Sequence, residues 1–258
     1  MTALDLGHRL PITLAEVLAE APATVRVDRK YLVPVDVAQT FVDQLPTEFR
    51  ALEIDGRRLT SYSSTYFDTP DFHACRAHIQ QRRRRWKFRS RLYVEDRFCR
   101  LEVKARDGSG ITSKYFCDID PDGHGHLDRR GTEFLSTQLS GLGFRDVAAL
   151  SSSLTPTLRA TYQRSTLAAR GHALRVTLDE GVACVRNGRV VELDPGYVIV
   201  ETKGGVLPGA ADRLLRALGQ RPRSFSKYAA ALSLIEPSLA DNDVRHLVGR
   251  HLHLRTAS

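Results

Sequence analysis

Residues 81–91 run Gln81-Arg82-Arg83-Arg84-Arg85-Trp86-Lys87-Phe88-Arg89-Ser90-Arg91. Successive side chains of a β-strand point to opposite faces, so from residue 85 onward the sequence sorts into two sets. Arg85, Lys87, Arg89 and Arg91 share one face; Trp86, Phe88, Ser90 and Leu92 share the other. An apolar face set against a wholly cationic one is not the pattern of a solvated edge. Charges two residues apart lie about 7 Å from each other along a strand. In bulk water they repel by less than about 1 kcal/mol, and near a protein surface by roughly 2 kcal/mol. An exposed row tolerates this, whereas an enclosed one needs counter-anions.

The neighbouring sequence repeats the device. Phe98–Arg106 and Thr112–Ile119 read as two further strands, separated by the turn signals Glu95-Asp96-Arg97 and Asp107-Gly108-Ser109-Gly110, so an antiparallel meander is expected. Arg100, Glu102, Lys104 and Arg106 fall on one face of its middle strand. Farther out, Arg26, Asp28 and Lys30 share a face of strand 25–33, Glu201 and Lys203 a face of strand 197–203, and Arg175 and Thr177 a face of strand 174–178. Other strands are expected at 59–67, 158–167, 183–186 and 190–193, the last two joined by Asn187-Gly188. Helices are expected at 12–21, with Thr13 and Glu16 as a capping pair, at 36–45 capped by Asp36, and at 130–142, 211–218 and 226–235. Residues 72–79 read as a helical turn, Ser151-Ser152-Ser153 as loop, and residues 243–252 as an amphipathic helix. These elements predict an α+β fold: a closed antiparallel eight-stranded β-barrel, a tunnel, with helices packed outside. Its parts are a peripheral segment 1–23, a tunnel domain 24–236 and a helical tail 237–258.

Composition narrows the function. Of the 258 residues, 42% are hydrophobic and 26% charged, which suffices for a core and argues against disorder. No apolar run approaches the roughly 20 residues of a membrane-spanning helix, and no secretory signal opens the sequence, so a cytoplasmic location is expected. Cys75, Cys99, Cys117 and Cys184 show no C-x-x-C spacing, and His73, His78, His124 and His126 lack zinc-site partners and read as surface or core. The formal charge is +8, and residues 82–91 alone carry seven positive charges with no negative one. The few carboxylates facing those strands cannot balance the cations, so a bound polyanion is implied. Nucleic acid is the other candidate for an arginine run, but a stacking surface would interleave aromatics with the cations rather than set them opposite. Glycine-rich phosphate loops are missing, leaving side chains to bind phosphate.

Eight short motifs in order carry a resemblance: Arg26-x-Asp28-x-Lys30-Tyr31, Tyr66-Phe67-Asp68-Thr69, Arg89-x-Arg91-x-Tyr93, Leu101-Glu102-Val103-Lys104, Tyr162-x-Arg164, Arg175-x-Thr177-x-Asp179, Val200-Glu201-x-Lys203 and Ser224-Phe225-Ser226-Lys227-Tyr228. Together they resemble the VTC domain, the catalytic domain of polyphosphate polymerases within the triphosphate tunnel metalloenzyme (CYTH-like) superfamily. The resemblance implies metal-dependent synthesis of inorganic polyphosphate from ATP inside a basic tunnel. A tripolyphosphatase or nucleoside triphosphatase of the same fold and a non-catalytic polyphosphate-binding module are the alternatives. Carried over by motif, Lys30, Arg89, Arg91, Lys104, Lys114, Arg164, Arg175, Lys203 and Lys227 would hold phosphates, and Arg89, Arg91, Arg164, Arg175 and Lys203 would act on the reacting group. Glu201 would bind a divalent metal, Mn²⁺ or Mg²⁺. Glu102 would share that role or serve as an ion-pair partner of its neighbours. The implied partners are ATP and polyphosphate, not nucleic acid, with a membrane or export partner left open. Asp28 stands where the family usually has Glu, and Ser224 where yeast-type enzymes have Lys. The SPX domain and membrane helices of the eukaryotic subunits have no counterpart in this sequence.

Overall fold

The architecture was read from a computed structural model that describes residues 4–19, 27–242 and 244–256. Arg26 of the first motif lies outside the described residues, as do Pro22 and Asp243. In chain order the first elements are β1 (Pro11–Ile12), α1 (Leu14–Ala19), β2 (Val27–Pro34), α2 (Val35–Gln44) and β3 (Phe49–Leu52). Next come β4 (Thr60–Asp68), α3 (His73–Ile79), β5 (Arg85–Tyr93), β6 (Phe98–Arg106), β7 (Thr112–Ile119), α4 (Arg129–Gly141) and α5 (Val147–Ser152). The chain continues through β8 (Thr155–Ala169), β9 (Arg175–Arg186), β10 (Arg189–Leu193), β11 (Tyr197–Gly204), α6 (Ala210–Ala217), α7 (Lys227–Ile235) and β12 (Leu252–Thr256).

The result is an α+β fold with one large, mainly antiparallel sheet; β1 and β3 pair in parallel. Among the described residues, hydrogen bonds do not close the sheet into the expected barrel. No helix of these residues is long and apolar enough to cross a membrane. The chain divides into two compact units, residues 1–60, 162–182 and 193–225, and residues 61–161, 183–192 and 226–258.

In the first unit, β11 lies between β2 and β9, with Glu201 opposite Lys30 and Thr177, and Lys203 opposite Asp28 and Arg175. The alternate residues, Tyr31 and Val33, Val176 and Leu178, Val198 and Val200, are buried against Phe41 and Val42 of α2 and Leu215 of α6. Asp212, in the first turn of α6, ties that helix to the sheet. It accepts hydrogen bonds from the Tyr31 hydroxyl (2.8 Å), the Thr202 hydroxyl (2.6 Å) and the Gly209 amide (2.9 Å). The N-terminal segment is less peripheral than expected: Leu4 and Leu6 are buried in this core, and Thr13 and Glu16 form the expected reciprocal cap of α1. Asp36 does not cap α2, because the helix starts one residue earlier, at Val35, behind Pro34.

The second unit holds the β4–β5–β6–β7 meander. Its register pairs Tyr66 with Arg89, Arg89 with Glu102, Lys87 with Lys104, and Lys104 with Lys114. On the reverse face Trp86, Phe88, Leu101 and Val103 pack against Leu135 and Leu139 of α4 and Val147 of α5. The serines at 151–153 thus close a short helix that their composition conceals, and Ser151 is buried. His124 is no loose loop residue either. Its ring nitrogens meet the Ser63 hydroxyl at 3.0 Å and the Ser90 hydroxyl at 3.1 Å, and burial pushes its pKa down. The tail departs from expectation too: a single 3-10 turn at Arg245–Leu247 and the strand β12 replace the amphipathic helix.

Buried Asp68 is the hub of this unit. Its carboxylate accepts the amides of Thr69 (2.8 Å), Ala74 (2.9 Å) and Cys75 (2.9 Å), capping α3, and the Tyr228 hydroxyl (2.5 Å) from α7. Stripping that acceptor strands several buried donors at once, each costing about 1–3 kcal/mol. Asp68→Ala is therefore expected to lose on the order of 3 kcal/mol or more in urea unfolding, and Tyr228→Phe about 1 kcal/mol. Equal, small losses from both would show that the carboxylate is not the hub.

Candidate phosphate-binding site

Each unit presents one cationic face built around one glutamate. In the second unit that residue is Glu102, 2% exposed. Arg89 donates to Oε2 through Nε (2.7 Å) and Nη2 (2.5 Å), Lys114 donates to Oε1 (2.8 Å), and Arg91 lies 3.8 Å away. Burial alone would raise this carboxyl, but Arg89, Arg91 and Lys114 together hold it well below the usual carboxylate range. The Lys114 ammonium is pushed down to about 8, chiefly by desolvation; Glu102 pulls it back up, and Arg89 and Arg91 push it down further.

Aromatic rings steady the guanidinium groups. Arg89 donates to the Tyr66 hydroxyl at 2.9 Å and lies 5.6 Å from the centre of that ring. Arg91 lies 5.3 Å from the Tyr62 ring, and Arg100 sits between Phe98 and Phe116 at 4.6 and 4.5 Å. Such contacts are worth about 0.5–2 kcal/mol each and leave guanidinium edges directed at anions. Tyr62 and Tyr66 carry no role in the motif reading, although their four-residue spacing, which puts both on one face of β4, was the available signal. Lys104 lies on this face and is exposed, while Lys227 opens α7 beside Ser226, whose hydroxyl receives the Lys87 ammonium at 3.2 Å.

In the first unit Glu201 lies 3.8 Å from the Lys30 ammonium and 3.6 Å from that of Lys203. Lys203 is pushed down to about 8, first by desolvation; Glu201 opposes the shift and Arg164 adds to it. Arg164 is committed to Asp179, with Nε at 2.6 Å from Oδ1 and Nη2 at 2.8 Å from Oδ2. Sequence reasoning gave Asp179 no role; it fixes the guanidinium plane. Arg175 donates to the Val17 carbonyl at 3.0 Å. The structure thus gathers Lys30, Arg164, Arg175, Glu201 and Lys203 in one unit, and Arg89, Arg91, Glu102, Lys104 and Lys114 in the other.

The two glutamates differ as metal ligands. Both oxygens of Glu102 accept short, charge-assisted hydrogen bonds, so a cation would have to displace Arg89 or Lys114. Glu201 lies at ion-pair distance from two lysine ammonium groups, Lys30 and Lys203. Among the described residues, no three or more His, Cys, Asp or Glu side chains cluster as a metal site. A divalent ion at Glu201 would take its remaining ligands from water and phosphate oxygens, as Mg²⁺ commonly does.

The comparisons with known proteins come to one family and a set of distant structures. A family model described as VTC domain matches residues 25–235. No curated protein matches the chain. Among solved structures, a "putative adenylate cyclase" of Bacillus halodurans is 13% identical, with a TM-score of 0.45 over 78% of this chain and 94% of its own. The "putative adenylyl cyclase" HpAC1 of Hippeastrum, for which a dominant triphosphatase activity is described, is 17% identical, with a TM-score of 0.45 over 80% of this chain and 94% of its own.

Burial pushes the Lys114 and Lys203 ammonium groups down to about 8, which would give anion binding by these lysines a pH response. A bound polyanion favours their charged forms, so binding takes up protons near pH 8 and weakens as pH rises. Affinity for inorganic tripolyphosphate, measured by calorimetry, is expected to fall about tenfold or more between pH 7 and 9. The double variant Lys114→Arg/Lys203→Arg, whose guanidinium groups stay charged, should flatten the profile. A wild-type affinity constant across that range would count against both lysines as anion ligands.

Proposed function

The chain belongs to the VTC domain family, and from that premise we propose that it synthesises inorganic polyphosphate, transferring the γ-phosphate of ATP to the end of a growing chain and releasing ADP. One observation carries the reading. In the second unit the cations of β5, β6 and β7 gather on one sheet face and outnumber its carboxylates, and in the first Lys30, Arg175 and Lys203 share a face with Asp28, Asp179 and Glu201. Such a face matches a linear polyanion better than any neutral substrate. The closed eight-stranded tunnel and a cytoplasmic location, where ATP is at hand, belong to the same proposal, as does the exclusion of nucleic acid as a ligand.

Phosphoryl transfer asks for alignment and charge neutralisation more than covalent participation. Arg89, Arg91, Lys104 and Lys114 bind the non-bridging oxygens of one phosphate run. Arg164, with its plane set by Asp179, acts with Arg175 and Lys203 on the oxygens of the transferred group. Lys30 and Lys227 hold further phosphates. A terminal phosphate oxygen of the chain attacks the γ-phosphorus, the bond to the β–γ bridging oxygen breaks, and its electron pair leaves with ADP. With a second pKa of about 6, the attacking terminus is largely ionised at neutral pH and needs no dedicated base. Mn²⁺ or Mg²⁺ held by Glu201 would supply neutralisation of triphosphate oxygens. Glu102 we assign to counter-charge, keeping Arg89, Arg91 and Lys114 together while the site waits for phosphate.

Incubating the protein with ATP and Mn²⁺ or Mg²⁺ and resolving the products on a gel tests the proposal. Long chains with stoichiometric ADP are expected. Orthophosphate without chains would replace synthesis by hydrolysis, water attacking in the same site. Unchanged ATP with tight polyphosphate binding would leave a binding module. Lys203→Ala and Glu201→Ala should each cut turnover by about 100-fold or more with the unfolding midpoint kept, as loss of a transition-state charge contact does. Wild-type rates in either variant would reject the assignment. Glu102→Gln tests the counter-charge role: in metal-free buffer it should bind tripolyphosphate more tightly than wild type, and an unchanged affinity would reject that role.

A further inference from the structure

The β5–β6–β7 meander is electrically lopsided along its strands. At the end where Arg85 pairs with Arg106, the chain entering β5 brings Arg82, Arg83 and Arg84, all exposed. At the opposite end, around Tyr93, Phe98 and Ile119, the sequence places Glu95, Asp96, Asp118, Asp120 and Asp122, with Arg97 paired to Asp122 and Arg100 to Asp118 at 3.2 Å each. The cationic row on β5 runs between these ends and grades outward. Arg91 is buried, Arg89, Lys87 and Arg85 are half-buried, and the three arginines beyond are exposed.

The arginine end is built rather than accidental. A Cβ on Gly108 would lie 2.9 Å from Nε of Arg84, so the β6–β7 turn is bare where that side chain crosses it. Arg84 also donates to the Gly143 carbonyl (2.8 Å), and Arg85 to the Arg82 carbonyl (2.7 Å). The Arg106 Nε is buried without a hydrogen-bond partner. The nearby carboxylate, Asp107, is turned into its own loop, where it accepts the amides of Ser109 (2.9 Å) and Ile111 (3.0 Å). Guanidinium groups crowded together with so little counter-charge are destabilising until an anion arrives.

We propose that this end is an external landing for polyphosphate: the chain leaves the β5 row past Arg85 and Arg106 and continues over Arg82 and Arg83 on the surface. At the other end Arg97 and Arg100 are answered by Asp122 and Asp118, so the excess of cations lies toward Arg82 and Arg83. The inference rests on polyphosphate being the ligand of the proposed function, and it adds a binding segment outside the site that holds the reacting phosphates.

The test compares wild type with Arg82→Glu/Arg83→Glu, both exposed positions outside the phosphate-holding set, using inorganic tripolyphosphate and a linear polyphosphate of about 25 units. Fluorescence competition should show tripolyphosphate affinity within about twofold of wild type and long-chain affinity weakened about tenfold or more, with a shallower salt dependence, as expected when cation–phosphate contacts are removed. Long-chain affinity within twofold of wild type would overturn the landing while leaving the proposed function standing. Loss of duplex DNA binding with polyphosphate binding intact would reassign the patch to nucleic acid and also overturn it. Failure of the wild-type protein to bind either phosphate ligand would remove the proposed function, and the landing with it.

Discussion

Like charge held at close quarters is the constraint to which the rest of the molecule answers. Cations of β5, β6 and β7 share one face at strand spacing, where neighbours repel by roughly 2 kcal/mol at a surface-like dielectric. Three devices keep them there. Glu102 lies buried amid Arg89, Arg91 and Lys114; Tyr62, Tyr66, Phe98 and Phe116 carry guanidinium groups on their rings; and the reverse face is fixed by apolar packing against α4 and α5. Burying Trp86, Phe88 and Leu101 leaves the strands no freedom to turn their arginines away, because a one-residue slip would carry the apolar set to the wrong side.

Glu102 and Glu201 occupy the same local pattern, a glutamate two residues before a lysine, yet they have become chemically different. Around Glu102 an arginine fork and a lysine supply short charge-assisted hydrogen bonds that engage both oxygens. Around Glu201 two lysines stand at ion-pair distance. Both donors of the Arg89 guanidinium reach the same oxygen, Oε2, and Lys114 takes the other, whereas the Lys30 and Lys203 ammonium groups lie 3.8 and 3.6 Å from Glu201.

Each unit also hangs on one buried aspartate that joins a helix to the sheet: Asp212 between α6 and the Tyr31 and Thr202 hydroxyls, and Asp68 between α3 and the Tyr228 hydroxyl. Asp68 belongs to the Tyr66-Phe67-Asp68-Thr69 motif and Tyr228 to the Ser226-Lys227-Tyr228 motif. Two short motifs far apart in sequence are therefore one hydrogen bond in space. The motif residues fall into two groups: Arg89, Arg91 and Lys203, which we propose hold phosphate, and Asp68, Tyr228 and Asp179, whose hydrogen bonds fix neighbouring groups.

The period-two alternation of residues 85–91, 98–106 and 197–203 settled by itself which residues are strands and which faces are cationic, because side-chain direction in a strand is a local property of the backbone. It likewise marked the hairpin turns and the Thr13–Glu16 cap, whose partners are neighbours in sequence. Partner choice was decided only by the tertiary structure. Nothing local says that Glu102 goes to Arg89 and Lys114, that Asp179 grips Arg164, or that residues 151–153 finish a helix against the apolar face. Residues 183–186 joined β9 rather than forming a separate strand, and residues 243–252 did not become a helix, because pairing and packing outweigh weak intrinsic preference in short segments. Composition and spacing fix where charge is placed along the chain; three-dimensional contact alone fixes which carboxylate answers which cation.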